Sequence, residues 1–180
     1  MREGNIRRLL VIGAMAVLGL ISAACSRSTQ PSESSYKDAV QNALRQADLT
    51  DVSVDENKDK NTITLSGTLH SQDAKDKAAQ VAQSAAGNRV IANEISVEPV
   101  GAESDAKKIA SNVDDGIESN YKAALIAHGL AKEHIRYDAK NGVLTLKGRV
   151  RATSERQQAE QLASNVPNVA QVVNQIEVSR

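Results

Sequence analysis

The 180-residue chain has a single cysteine, Cys25, so no disulfide can form within it and each folded part must be held by its own core. Neither charge is in excess, with 22 Lys and Arg against 22 Asp and Glu. A neutral chain lacks the basic footprint of a nucleic-acid binder. A long apolar run is missing too. Leu9 to Ile21 is uncharged but only about 13 residues long, short of the roughly 20 that a spanning helix needs. Behind Arg2, Arg7 and Arg8 it reads as a signal peptide over residues 1–24. Its removal takes away three arginines and Glu3, leaving the mature chain with two more acidic than basic residues.

The side chains of catalysis are scarce or scattered. His70, His128 and His134 fall on an expected strand, a helix end and a strand start, and their spacing fits no metal-ligand pattern. Asp114-Asp115 and the run Asp55 to Asp59 lie at helix starts or turns and read as solvated charge rather than an acid/base pair. No base stands beside Cys25 to make it a nucleophile. No enzyme, cofactor or metal is expected.

Cys25 closes the apolar segment directly after Ser22-Ala23-Ala24, a pattern that resembles the lipobox of a bacterial lipoprotein, with Ser22 where leucine is usual. The same Ser-Ala-Ala ending suits an ordinary signal peptidase, which would leave a free thiol. The first reading makes Cys25 the lipidated N-terminus, anchored at about 0.8 kcal/mol per buried methylene. Ser26 resembles a signal for release to the outer membrane. Residues 25–35, rich in Ser, Thr, Gln and Pro, read as a tether.

The rest is one pattern written twice. Thr62 to Val97 returns as Val143 to Val178 at a fixed offset of 81, aligning Leu65 with Leu146, Gly67 with Gly148, Ala82 with Ala163, Asn93 with Asn174 and Ile95 with Ile176. The same offset upstream sets Leu44 beside Leu125 and Val54 beside Ile135, giving a unit of about 62 residues. Each unit reads as helix, strand, strand, helix, strand. Tyr36, Val40, Ala43 and Leu44 make a helical stripe, and Thr62 to Leu69 alternates strictly, as in a sheet with one covered and one open face. The second helix is expected to start after an aligned capping residue, Asp73 in the first copy and Ser154 in the second, the latter in a capping box with Gln157. Gly67 and Gly148 read as a bulge or close helix approach, and Asn93 and Asn174 as residues that satisfy backbone groups near a strand end. The expected fold is α+β: two tandem modules, each a three-stranded mixed sheet with two helices on one face. The modules span 36–98 and 113–180, joined by a linker and helix start over 99–112. A helix over Ala106 to His128, with Ile109, Val113, Ile117 and Tyr121 as its stripe, precedes the second copy and has a possible break at Gly116.

The ordered set Thr-Leu-x-Gly, an alanine-rich helix and Asn-x-Ile-x-Val resembles the BON domain, named for bacterial osmotically inducible and nodulation proteins. The resemblance covers about 124 of the 180 residues. The second copy, with Asn-Gly-Val-Leu-Thr-Leu-Lys-Gly and Asn-Val-Ala-Gln-Val-Val-Asn-Gln-Ile-Glu-Val, lies closer to the pattern. The first departs from it at Lys60-Asn61 and in the polar run Asp55 to Lys60. The resemblance implies a phospholipid-binding envelope module.

Parity in the second copy turns His134, Arg136, Thr145, Lys147, Arg149 and Arg151 outward, whereas the first copy has Ser53, Asp55, Ser66, Thr68 and His70 there. Arg136, Lys147, Arg149 and Arg151 are the candidate contacts to anionic lipid; the plain alternative is that they keep an exposed sheet soluble. The expected role is a periplasm-facing lipoprotein, at the outer membrane, that binds envelope phospholipid and supports membrane integrity or osmotic stress resistance. The alternative is an adaptor docking to envelope proteins. In either case the second copy is expected to make the contact, with the first as spacer or packing partner.

Overall fold

A computed structural model describes residues 35–132 and 134–179. The expected signal peptide, Cys25 and most of the expected tether lie outside the described residues. Glu33–Arg180 forms one compact unit that contains both modules.

The first module runs α1 (Tyr36–Gln46), β1 (Val52–Asn57), β2 (Thr62–Leu69), α2 (Gln72–Ala85), β3 (Val90–Asn93) and β4 (Ser96–Val97). The second runs α3 (Glu103–Ala127), a 3-10 turn over Leu130–Lys132, β5 (His134–Lys140), β6 (Val143–Val150), α4 (Thr153–Ser164) and β7 (Gln171–Val178). In each sheet a hairpin pairs antiparallel and the last strand returns parallel to the middle one, after a helical crossover. The expected single last strand of the first module is interrupted at Glu94-Ile95, with β4 continuing beside β2 in the register of β3. At that point the second module docks: Asn141 Nδ2 donates to Glu94 O at 2.8 Å.

The two cores follow the repeat. Val40, Leu44, Leu49, Ile63, Leu65, Ala78, Ala82 and Ile95 are buried in one, and Tyr121, Leu125, Leu130, Leu144, Leu146, Ala159, Ala163 and Ile176 in the other, each residue 81 places on. Alanines at the helix–sheet contact let the layers approach closely. Tyr121 replaces Val40, and its hydroxyl donates to Ala159 O at 3.1 Å while its ring meets Tyr137 edge-on at 5.1 Å.

Several local expectations are corrected. Val54 pairs with Leu65, but Ile135 pairs with Gly148; the counterpart of Val54 is therefore Tyr137, at an offset of 83. Two more residues precede β5, and the hairpin gives them back. Asn57 and Thr62 flank a four-residue loop, whereas Lys140 and Val143 flank only Asn141-Gly142, both at positive φ as a two-residue turn requires. A slip of two preserves the face of every side chain, so the change leaves the core intact. α3 runs unbroken through Gly116, and Ile109 is 63% exposed rather than part of the buried stripe. The α2 cap is Ser71, whose side chain accepts from Ala74 N at 3.2 Å, not Asp73. At α4, Glu155 accepts from Arg151 N and Ala152 N, so Ser154 and Gln157 form no capping box. Asn168, at φ 67°, takes the left-handed place that Gly87 holds in the first copy.

The larger correction concerns the open sheet face. Its half nearest the hairpin turns is buried, because the two sheets meet there: Ala92, Val143 and Val173 form a third apolar cluster, and Thr62 and Thr145 are 2% and 6% exposed. β3 bonds to β2 through Val90 and Glu94, leaving Ile91 and Asn93 pointing to its free edge. The Gln171 side chain occupies that edge, accepting from Asn93 N at 3.3 Å and donating to Ile91 O. One amide thus satisfies a donor and an acceptor as a neighbouring strand would.

Gly67 and Gly148 have φ of 128° and 122°, and a Cβ on them would lie 2.2 Å from Asp51 O and 1.9 Å from His134 O. The close approach is to the neighbouring strand of the hairpin, not to a helix. Gly148→Ala is expected to cost about 1–3 kcal/mol from backbone conformation alone, read as a lower urea midpoint at unchanged slope. An unchanged midpoint would show that the strand pair yields freely there.

Candidate functional site: a basic groove shared by two modules

β5, β6 and β7 place their outward residues in rows across the sheet. His134, Arg149 and Glu177 form one row; Arg136, Lys147 and Gln175 the next; Asp138, Thr145 and Val173 a third; Lys140, Val143 and Gln171 the last. Docking of the first module covers the Val143, Thr145 and Val173 part of this face. His134, Arg136, Lys147 and Arg149 stay exposed.

They line an open groove of about 860 Å³ together with Gln175, Glu177 and, from the first module, Asn57 and Lys60. Of the expected contacts, Arg136, Lys147 and Arg149 come together here. Arg151 does not line the groove: it lies in the bend after β6, exposed, with its backbone N–H on Glu155. Thr145, expected to face outward in solvent, is buried beneath the first module. Gly148 lines the groove floor, while Gly67, Asn93 and Asn174 lie away from it. The two asparagines act alike: each side-chain oxygen accepts from the N–H two residues on, and each amide nitrogen donates to the crossover helix, at Lys75 O or at Glu160 Oε2.

Arg136 and Lys147 are directly opposed across the hairpin. Like charges in that arrangement destabilise a sheet, and neither has an ion-pair partner among the described residues. Arg149 differs, with Nε 3.0 Å from Glu177 Oε2. The other Glu177 oxygen accepts from Lys60 Nζ, across the module boundary. Among the described residues, four fixed cations and one carboxylate line the groove, a surplus of positive charge. The sequence does not mark Lys60 and Glu177 as partners, since nothing local links residues 117 positions apart. The available signal was the apolar pair Val143 and Val173 at outward parity, which marks a covered patch.

Asp114, read from sequence as solvated charge, accepts from Asn141 N and Gly142 N at 2.7 and 2.9 Å, holding the β5–β6 turn. Glu118 does the same for Ala139 N at 2.9 Å. Among the described residues no group of three or more His, Cys, Asp or Glu is placed to hold a metal. None of the described helices is long and apolar enough to cross a membrane.

The BON-domain family matches residues 32–99 and again 113–180. The chain belongs to the BON-domain family. It is similar to osmotically-inducible protein Y of Escherichia coli (strain K12), 30% identical over 128 residues, which covers 71% of this chain and 61% of that protein. The chain therefore spans about three-fifths of that relative's length. Two structures of CdsD, a structural protein of the type III secretion system of Chlamydia trachomatis, align at 10% identity and a TM-score of 0.34, covering 79% of this chain and 96% or 91% of theirs. A likeness that weak carries no inference about this BON pair.

Hydrogen bonds from Lys60 and then Arg149 hold the Glu177 carboxyl below its ordinary value of 4.5. The stabilisation this represents is present above pH 4.5 and is lost as the pH falls through the lower, folded-state value. An NMR titration should show Glu177 titrating below 4.5, with Lys60→Gln moving it back upward. An unmoved value would mean that Lys60 does not hold this carboxylate.

Proposed function

We propose that the chain is a non-enzymatic envelope lipoprotein, anchored through Cys25 and facing the periplasm, whose basic groove binds anionic phospholipid. Its role is support of outer-membrane integrity under osmotic or envelope stress. The observation that carries this reading is the opposed pair Arg136 and Lys147, exposed and without carboxylate partners among the described residues. Such a pair costs the fold something and gains only when an anion arrives. A membrane with anionic headgroups supplies many such anions in a plane, each basic residue near it adding about 1 kcal/mol.

Three further points support it. BON membership brings the expectation of phospholipid binding, and the relative in Escherichia coli is named for osmotic induction. The apolar segment ending at Cys25 supports an acyl anchor. An anchor would also keep a weakly binding groove close to the lipid surface, raising its effective concentration there.

Vesicle flotation tests the reading on residues 33–180, the compact unit that holds both cores and lacks the apolar leader. Binding should require an anionic lipid such as phosphatidylglycerol, weaken steeply as salt rises, and fall about tenfold or more in Arg136→Gln/Lys147→Gln. Binding indifferent to salt, to anionic lipid and to both substitutions would reject it in favour of an adaptor for envelope proteins.

A further inference from the structure

Glu177 is out of keeping with a surface that collects cations. It sits at the far end of β7, its two oxygens divided between Lys60 of the first module and Arg149 of the second. A carboxylate bridging two cations from different elements is the geometry of a bound oxyanion, and a lipid phosphate carries the same charge on two comparable oxygens. The pairs are exposed: the side chains of Lys60, Arg149 and Glu177 are 27%, 73% and 47% accessible. Ion pairs this open contribute little and exchange readily with other anions. Arg136 and Lys147 stand in the next row of the same groove with no ion-pair partner among the described residues, so an anion entering from solvent meets them beside the occupied pair.

We infer that Glu177 is an internal stand-in for a lipid phosphate: it holds Lys60 and Arg149 until the phosphate of an anionic headgroup replaces it. The inference rests on the membrane reading above and adds two things to it. The site belongs to both modules, because Lys60 is one of its cations. Its affinity is set by Glu177, which competes from within the protein for the cations the lipid needs. Displacement breaks no covalent bond; the carboxylate turns out to solvent as the phosphate enters.

The test measures affinity of residues 33–180 for phosphatidylcholine vesicles containing phosphatidylglycerol, whose phosphate is its only charge. Glu177→Gln should bind on the order of tenfold more tightly, with a steeper salt dependence, because two cations are released. Asp138→Asn removes the same charge from the same sheet face and should change affinity much less, since that carboxylate pairs with no cation among the described residues. Lys60→Gln should weaken the Glu177→Gln protein several-fold and leave the wild type little changed.

Equal effects of Glu177→Gln and Asp138→Asn, or one constant factor for Lys60→Gln in both backgrounds, would overturn the inference while leaving the membrane reading intact. A wild type and a Glu177→Gln protein that both ignore anionic vesicles would remove the membrane reading itself. Inorganic phosphate at matched ionic strength should not release the protein from vesicles. Release would assign the groove to free phosphate and overturn the lipid assignment.

Discussion

Everything distinctive about the surface depends on one contact, the packing of two sheet faces through Ala92, Val143 and Val173. Each module alone would expose these residues on a half-open sheet. Brought together, they exclude water from Thr62 and Thr145 and present the free edge of the first sheet to the Gln171 amide. The contact also carries the β1–β2 hairpin to the far end of the second sheet, where Lys60 reaches Glu177. Without that docking the basic face would be a property of the second module alone.

The fold was legible because its determinants are periodic and local. An offset of 81 between copies, the alternation from Thr62 to Leu69 and the alanines of the second helix each state which side chains face inward, and the cores contain those residues. What the repeat could not show were compensating changes. Two residues gained before β5 and two lost from the hairpin leave every face unchanged, so the pattern of burial is silent about them. Gly116 shows the limit of propensity: its cost is about 1 kcal/mol, and the burial of Ile117, Tyr121 and Leu125 anchors α3 around it.

The site was half legible. Arg136, Lys147 and Arg149 follow from strand parity, and the structure brings all three into one groove. Arg151 shares their parity, but β6 ends at Val150 and the chain bends away toward α4. Lys60 lies in the polar run that made the first copy resemble its family least, and there its departure from the second copy has a use. The longer four-residue loop of that hairpin carries the cation that the two-residue turn of the other copy has no residue to supply. Symmetry of the core and asymmetry of the loops are thus two aspects of one arrangement, a duplicated scaffold whose copies meet and divide the surface between them.

Amide hydrogen exchange at Asn93 reads this docking directly. Its N–H points to the free edge of β3, and the Gln171 side chain is its partner. Slow exchange in the wild type, accelerated in Gln171→Ala without a comparable change at Leu65 or Leu146 in the cores, is the expected result. Asn93 exchanging at the rate of an open strand edge in both proteins would mean that the modules do not dock in this way and that the groove is not shared.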